Sequence, residues 1–156
     1  MILSKDSKQL LLKFGYLHGI DCIEEHQNVI NKLGYVWFGK IGAKPKFGTI
    51  EKMLDSEVKS NFIILKSTKE CYLCKFDKYS LTIPENGFPE YYISRLRMKS
   101  DTFSIWFRII EMKKVSNLTS LQEIVVESSR NPLLVACKQS MAAHFFTVAN
   151  KDIEVF

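Results

Sequence analysis

The chain has 156 residues, of which 46% are hydrophobic and 25% are charged, and this composition is typical of one globular domain. Its apolar runs are shorter than the ~20 residues that a membrane-spanning helix needs, and its first residues lack the pattern of a secretory signal. We therefore expect a cytoplasmic protein without a membrane partner. The formal net charge of +5 favours polyanions such as nucleic acid as partners.

The first predicted helix covers residues 22–33. Asp21 and Glu24 have the spacing of a capping box, and Gly34 suits the left-handed conformation that ends many helices. The aromatic and β-branched residues 35–41 predict a strand directly after this helix. Because His26 falls on the apolar face of the helix, we expect it to be a structural histidine with satisfied hydrogen bonds.

The middle of the chain predicts a helix, a hairpin and a loop. A short helix is expected to start at Thr49 and to reach Val58. Alternating apolar residues then predict two antiparallel strands, residues 61–66 and 71–77, which a short polar connection joins. Two prolines and an Asn-Gly pair predict a loop over residues 83–92.

The last third of the chain adds a long strand, a helix and a short final strand. Residues 103–115 predict a long strand pair or one bent strand, and Thr119 with Gln122 forms a second capping box that predicts a helix. A short helix or turn is expected near residues 137–143, and residues 145–148 predict the last strand. These elements indicate an α+β fold in one domain, residues 1–156, whose sheet must curl to bury many aromatic side chains.

Two cysteines have the spacing of half a zinc site. Cys71 and Cys74 lie in a predicted strand, where residues three apart point to opposite faces of the sheet. No second pair of metal-ligating residues with suitable spacing accompanies them. We therefore expect reduced thiols, and we predict neither a metal site nor a cofactor.

Catalytic motifs are missing from the sequence. The three histidines, His18, His26 and His144, are far apart, and no nucleophile motif or phosphate-binding loop is present. We therefore predict no catalytic residues and expect a binding protein that is not an enzyme.

Three segments of the chain form a recognisable pattern: the aromatic segment that ends at Lys40, the apolar segment over residues 61–66 and the tryptophan-containing segment over residues 106–110. Together they resemble the EVE branch of the PUA-like superfamily. The resemblance covers roughly residues 34–148. It implies a curved mixed sheet, a pseudo-barrel, flanked by helices, with residues 1–33 forming an additional N-terminal helical extension.

The resemblance also implies a function. EVE-like domains bind nucleic acid, and several enclose a flipped, modified base, so the expected ligand is DNA that carries a methylated or hydroxymethylated cytosine. Such domains often serve modification-dependent restriction or defence systems, where a motor or nuclease subunit or a fused domain is the partner. RNA recognition is the main alternative, and a protein-interaction or small-ligand module on the same scaffold is another.

Aromatic and polar residues near turns and strand ends are the candidates for a base pocket, because a flipped base is held by stacking and by hydrogen bonds to its Watson–Crick edge. Neighbouring strand residues alternate in direction, so only one of Trp37 and Phe38 can face a ligand. The predicted pocket residues are Trp37, Tyr91, Tyr92, Trp106, Asn61 and Ser67. The predicted phosphate contacts are Lys40, Lys44, Lys46, Lys66, Arg95 and Arg97.

Overall fold

A computed structural model describes residues 2–15, 17–55, 61–98, 102–116, 118–139 and 143–154. The large sheet contains β2 (Lys8–Lys13), β3 (Val36–Ile41), β4 (Phe62–Lys66), β5 (Cys71–Ser80), β6 (Phe103–Lys114), β7 (Ile124–Val126) and β8 (His144–Ala149). A separate ribbon pairs β1 (Ile2–Leu3) with β9 (Ile153–Glu154). The helices are α1 (Cys22–Leu33), α2 (Phe47–Asp55), α3 (Tyr91–Ser94) and α4 (Leu133–Gln139).

The large sheet is mixed and open. Its seven strands follow the order β3-β6-β5-β4-β2-β8-β7, in which only β2 and β4 are parallel neighbours. The predicted α+β class is therefore confirmed, although the sheet does not close into a barrel. Within the described ranges, no helix has the length and apolar character needed to span a bilayer.

The predictions for the first helix and the strand after it are confirmed. Asp21 caps α1, because its Oδ1 atom accepts a hydrogen bond from the backbone N–H of Glu24 over 3.1 Å. At the other end, Gly34 adopts φ = 83°, and β3 begins two residues later. The hairpin prediction is also confirmed, since β4 and β5 pair in antiparallel fashion.

Other local predictions are wrong. Helix α2 begins at Phe47, before the expected start at Thr49, and the predicted end at Val58 lies outside the described residues. The predicted helix after Thr119 is a 3-10 turn (Leu118–Leu121) followed by strand β7. The residues of β7 are β-branched and pair with β8, which outweighs the capping signal before them. The helix expected near residues 137–143 is α4, which starts earlier.

The N-terminal segment supplies both the predicted helix, α1, and the strand β2, so residues 1–33 belong to the core of the fold and are not an extension of it. Strand β2 lies between β4 and β8. Its central residues Leu10, Leu11 and Leu12 are all buried. A continuous apolar run of this kind is typical of a strand that is covered on both faces.

Apolar layers cover both faces of the sheet. The α1 face packs against α1 and α2 and contains Leu10, Leu12 and Cys74. The α4 face packs against α4 and the β1–β9 ribbon and contains Leu11 and Cys71. Because Cys71 and Cys74 belong to different layers, the prediction that they point to opposite faces is confirmed.

Candidate functional site

A cavity of about 270 Å³ lies on the α1 face, between the ends of β2 and β3. Three strands separate β2 from β3 in the sheet order, so the sheet must curl to bring both to one cavity. We call it the β2–β3 cavity, and its walls include Leu12, Lys13, Phe38, Lys40, Tyr91 and Tyr92. The structure thereby brings together three residues that the sequence predicted for a site: Lys40, Tyr91 and Tyr92.

Tyr91 and Tyr92 are buried at the start of helix α3, so the prediction that the loop over residues 83–92 includes them is wrong. The Tyr92 ring stacks on Phe103 with an interplanar angle of 11°. Its hydroxyl accepts a hydrogen bond from the backbone N–H of Gly39 over 3.1 Å. The same hydroxyl lies 2.7 Å from Nε2 of His26, so it joins α3, β3 and α1 at one wall of the cavity.

His26 is a structural histidine, as the sequence predicted. Its Nδ1 atom lies 2.7 Å from the backbone oxygen of Cys22, which can only accept a hydrogen bond. Nδ1 therefore carries the proton, and Nε2 accepts a hydrogen bond from the hydroxyl of Tyr92. Complete burial lowers the pKa of His26 to about 4. The hydrogen bond to the Cys22 backbone raises this pKa, but its effect is the smaller one.

Cys22 and Tyr91 add a neutral polar corner to the cavity wall. The Cys22 Sγ atom lies 3.2 Å from the Tyr91 hydroxyl, and burial raises the pKa of the Cys22 thiol. Because Nδ1 of His26 is directed at the Cys22 backbone, this histidine does not act as a base for the thiol. The corner therefore offers hydrogen-bonding groups and lacks an activated nucleophile.

Lys40 is buried, with 6% of its surface exposed, and it lines the cavity. Its Nζ atom donates a hydrogen bond to the backbone oxygen of Ile41 over 3.1 Å, and burial lowers the pKa of the ammonium group. An ammonium group has three donors, so this contact leaves donors for a ligand. A buried position does not suit the surface phosphate contact that the sequence predicted, and Lys40 is better placed to contact a ligand inside the cavity.

His144 contributes a second polar group near Lys40. It pairs with Leu12 across β8 and β2, and therefore lies on the same face as the cavity. Burial and the nearby charge of Lys40 lower the pKa of His144. Its Nδ1 atom is buried and lacks a hydrogen-bond partner among the described residues.

The two tryptophans do not line the cavity. Trp106 packs in an aromatic cluster with Phe103, Tyr91 and Tyr92, but unlike these two tyrosines it does not line the cavity, so it is not part of this candidate site. Trp37 packs at the edge of the same cluster and is partly buried. Phe38, its neighbour in β3, lines the cavity in its place. The prediction that only one of this pair can face a ligand is consistent with this arrangement.

Asn61 and Ser67 cannot belong to one pocket, because they lie before and after strand β4. A strand of this length separates them by roughly 20 Å. Asn61 donates a hydrogen bond to the backbone oxygen of Phe76 over 3.1 Å. Ser67 instead lines a groove of about 640 Å³ beside α4, together with Lys66.

The other predicted phosphate contacts are exposed cations close to the cavity in the chain. Lys44 and Lys46 follow Ile41, which lines the cavity, and Lys44 lies over the Phe47 ring. Arg95 and Arg97 stand on either side of Leu96, another lining residue. These residues are exposed and follow or flank lining residues in the sequence, and their contact with phosphate stays a prediction.

Sequence reasoning preferred Trp37 to Phe38, and it missed both Lys13 in the cavity wall and His144 near Lys40. Phe38 could have been found from its alternation with Trp37, but two adjacent aromatic residues do not reveal which one is covered by the core. Lys13 ends an apolar run before Gly15, which is a signal for the end of a strand. No local signal connects His144 with Lys40, since folding brings them together from opposite ends of the chain.

Comparisons with protein families, curated proteins and solved structures give no match for this chain. The resemblance to EVE-like domains therefore remains a hypothesis from sequence pattern. In the part of the chain that the structure describes, no group of three or more His, Cys, Asp or Glu side chains could hold a metal ion. Function is accordingly inferred from the geometry of the cavity.

Proposed function

We propose that this protein binds DNA and encloses a flipped cytosine, methylated or hydroxymethylated, in the β2–β3 cavity. The observation that carries the proposal is the combination of aromatic walls with one buried lysine in a cavity between strand ends. A curled, open sheet is also compatible with the PUA-like fold that the sequence pattern implies. A protein that encloses a flipped base needs stacking surfaces and hydrogen-bonding groups, because these must offset the few kcal/mol that base extrusion costs.

The walls of the cavity suit a modified pyrimidine. Phe38, Tyr91 and Tyr92 offer aromatic surface, and each base–aromatic stack contributes on the order of 1–3 kcal/mol. The aliphatic side chains of Leu12, Leu17 and Leu96 add apolar surface against which a methyl group can pack. Replacing water by such surface favours a methylated base by about 0.8 kcal/mol for each buried methylene-sized group.

The polar groups suit the hydrogen-bonding edge of cytosine. Lys40 supplies donors for the carbonyl oxygen and the ring nitrogen of the base, both of which are acceptors. His144 lies near Lys40, and its Nδ1 atom lacks a partner among the described residues. A neutral imidazole nitrogen can accept a hydrogen bond from an exocyclic amino group. Specificity would then depend on these two side chains.

Exposed cations around the cavity suit a nucleic acid backbone. The chain positions of Lys44, Lys46, Arg95 and Arg97 beside lining residues provide charge near the rim. Contacts of this kind supply affinity that is independent of sequence and depends on salt, whereas the cavity discriminates between bases.

Titration of matched oligonucleotides tests the proposal. Duplexes with cytosine, 5-methylcytosine, 5-hydroxymethylcytosine or N6-methyladenine at one position, and an RNA of the same sequence, are titrated at two salt concentrations. We expect salt-sensitive binding to all DNAs and tighter binding to one of the modified cytosines. Equal affinity for all four duplexes would overturn the modified-base proposal. Preference for the RNA would instead favour the alternative of an RNA-binding domain.

A further inference from the structure

A second feature lies at the end of the same strands. β2 and β4 are parallel neighbours, and Lys13 is paired with Lys66 at their carboxyl ends. Both lysines lie on the α4 face, because they are two residues beyond Leu11 and Ile64, which belong to that layer. The carboxyl ends of neighbouring parallel strands form a common place for ligands in sheets of α/β proteins.

The groove beside α4 joins these two lysines with a third. Its described lining consists of Lys13, Phe14, Lys66, Ser67, Thr68, Leu134, Cys137 and Lys138 and includes no acidic residue. Lys66 donates a hydrogen bond from Nζ to the backbone oxygen of Ser67. We call this feature the three-lysine groove.

Two lysines of the groove affect the same side chain, the thiol of Cys137. Burial raises the pKa of the Cys137 thiol, while the charges of Lys66 and Lys13 lower it. Lys13, Lys66 and Cys137 all line this groove, so both ammonium groups lie beside the space that an anion would occupy.

The three-lysine groove meets the β2–β3 cavity at the end of β2. Lys13 and Phe14 line both of them. A single nucleotide could therefore place its base in the cavity and a neighbouring phosphate in the groove, with the chain passing over the end of the strand.

From these observations we infer that the three-lysine groove binds a backbone phosphate of the nucleic acid strand whose base enters the β2–β3 cavity. The inference rests on the proposed function for the identity of the ligand. The presence of an anion site in the groove is a separate claim, because it depends only on Lys13, Lys66 and Lys138. Of these, Lys66 alone was predicted from sequence as a phosphate contact.

A pair of variants with the same change in charge tests the inference. Lys66→Gln combined with Lys138→Gln alters the groove, whereas Lys52→Gln combined with Lys78→Gln removes two exposed lysines elsewhere. We expect the groove variant to bind plain and modified duplexes at least tenfold more weakly. Its plot of log affinity against log salt should be shallower by about two, roughly one for each phosphate-contacting lysine. The ratio of affinities for modified and plain DNA should not change.

The control variant should keep a slope close to that of the unmodified protein. An equal loss of slope in both variants, or no loss in the groove variant, would overturn the inference while leaving the proposed function intact. Inorganic tripolyphosphate, which has no base, separates the two claims. Its binding to the unmodified protein and loss in the groove variant would support the anion site even if no DNA is discriminated.

Discussion

At the scale of single residues, one tyrosine hydroxyl satisfies two buried polar groups. The Tyr92 hydroxyl accepts from the backbone of Gly39 and lies 2.7 Å from His26. An unsatisfied buried polar group costs about 1–3 kcal/mol, so this pair of contacts explains why a histidine is tolerated in the core. It also fixes the wall of the β2–β3 cavity, since the same ring lines it.

Because His26 is buried, we predict that the protein loses stability at acidic pH. Burial lowers its pKa to about 4, whereas the unfolded chain titrates near the ordinary value of 6.5. Between these values only the unfolded chain binds the proton, so the free energy of unfolding falls as pH decreases. The loss reaches roughly 3 kcal/mol below pH 4. Urea unfolding at pH 7 and pH 4.5 measures it.

Urea unfolding of histidine variants at the same two pH values shows which histidine causes the loss of stability. His144 also has a lowered pKa and contributes in the same direction, so each variant is compared with itself at the two pH values. His26→Gln should show a smaller difference between them, while the exposed His18→Gln should match the unmodified protein. If His26→Gln keeps the full difference, the assignment to His26 is wrong.

Replacement of Lys40 should affect the stability of the protein and its recognition of DNA differently. Its buried ammonium is desolvated, so Lys40→Met should leave the free energy of unfolding at pH 7 unchanged or raise it. The same change should abolish discrimination between modified and plain DNA, because the donor inside the cavity is lost. Denaturant unfolding and oligonucleotide titration measure the two effects. Retained discrimination would remove Lys40 from the site, and Lys52→Met, on an exposed lysine, is the control.

At the scale of elements, strands β3 and β6 approach closely where Gly39 pairs with Trp106. A Cβ atom at Gly39 would lie 2.6 Å from Phe103 and 2.8 Å from Trp106. We therefore expect Gly39→Ala to lower the free energy of unfolding by about 1–3 kcal/mol, as overpacking does. Gly48→Ala in α2 has open space around the new atom and should be neutral or stabilising. Thermal unfolding compares the two variants, and equal effects would contradict this packing.

The positions of the two cysteines in strand β5 predict that they do not bind zinc. Cys71 and Cys74 point into opposite layers, and burial raises the pKa of both thiols, that of Cys71 to about 12. Two thiols in this arrangement cannot bind one ion, so elemental analysis should find no stoichiometric zinc. The melting temperature should also be unchanged by a chelator. One equivalent of zinc would show that the register of β5 is wrong.

Local signals predicted some elements and missed others for physical reasons. Helix α1 and strand β3 were predictable because a cap, a left-handed glycine and an aromatic strand follow one another along the chain. The burial of Tyr92 was not, because its partners His26 and Gly39 lie 66 and 53 residues away. Proline and glycine signals before it favoured a loop, and the contacts that decide its position are absent from any local window.

At the scale of the whole molecule, the curl of the sheet creates the site. The N-terminal strand β2 contributes one wall and β3 another, although three strands lie between them. The sequence predicted a curled α+β sheet, but it placed the N-terminal residues outside the core. For that reason it left Lys13 out of the site, whereas Lys40 was assigned to a phosphate contact because it clusters with Lys44 and Lys46 in the sequence. In the structure, Lys40 lines the β2–β3 cavity, and Lys13 lies where this cavity meets the three-lysine groove.

The central claim is that a cytosine base enters the β2–β3 cavity, and photocrosslinking tests it most directly. A duplex with 5-iodocytosine at the target position carries its reactive group where a modified cytosine carries its substituent. After irradiation, mass spectrometry should locate the crosslink at Phe38, Tyr91 or Tyr92, which line the cavity. Crosslinks confined to residues outside the cavity, such as the exposed Phe47, would contradict the account even if the duplex binds tightly.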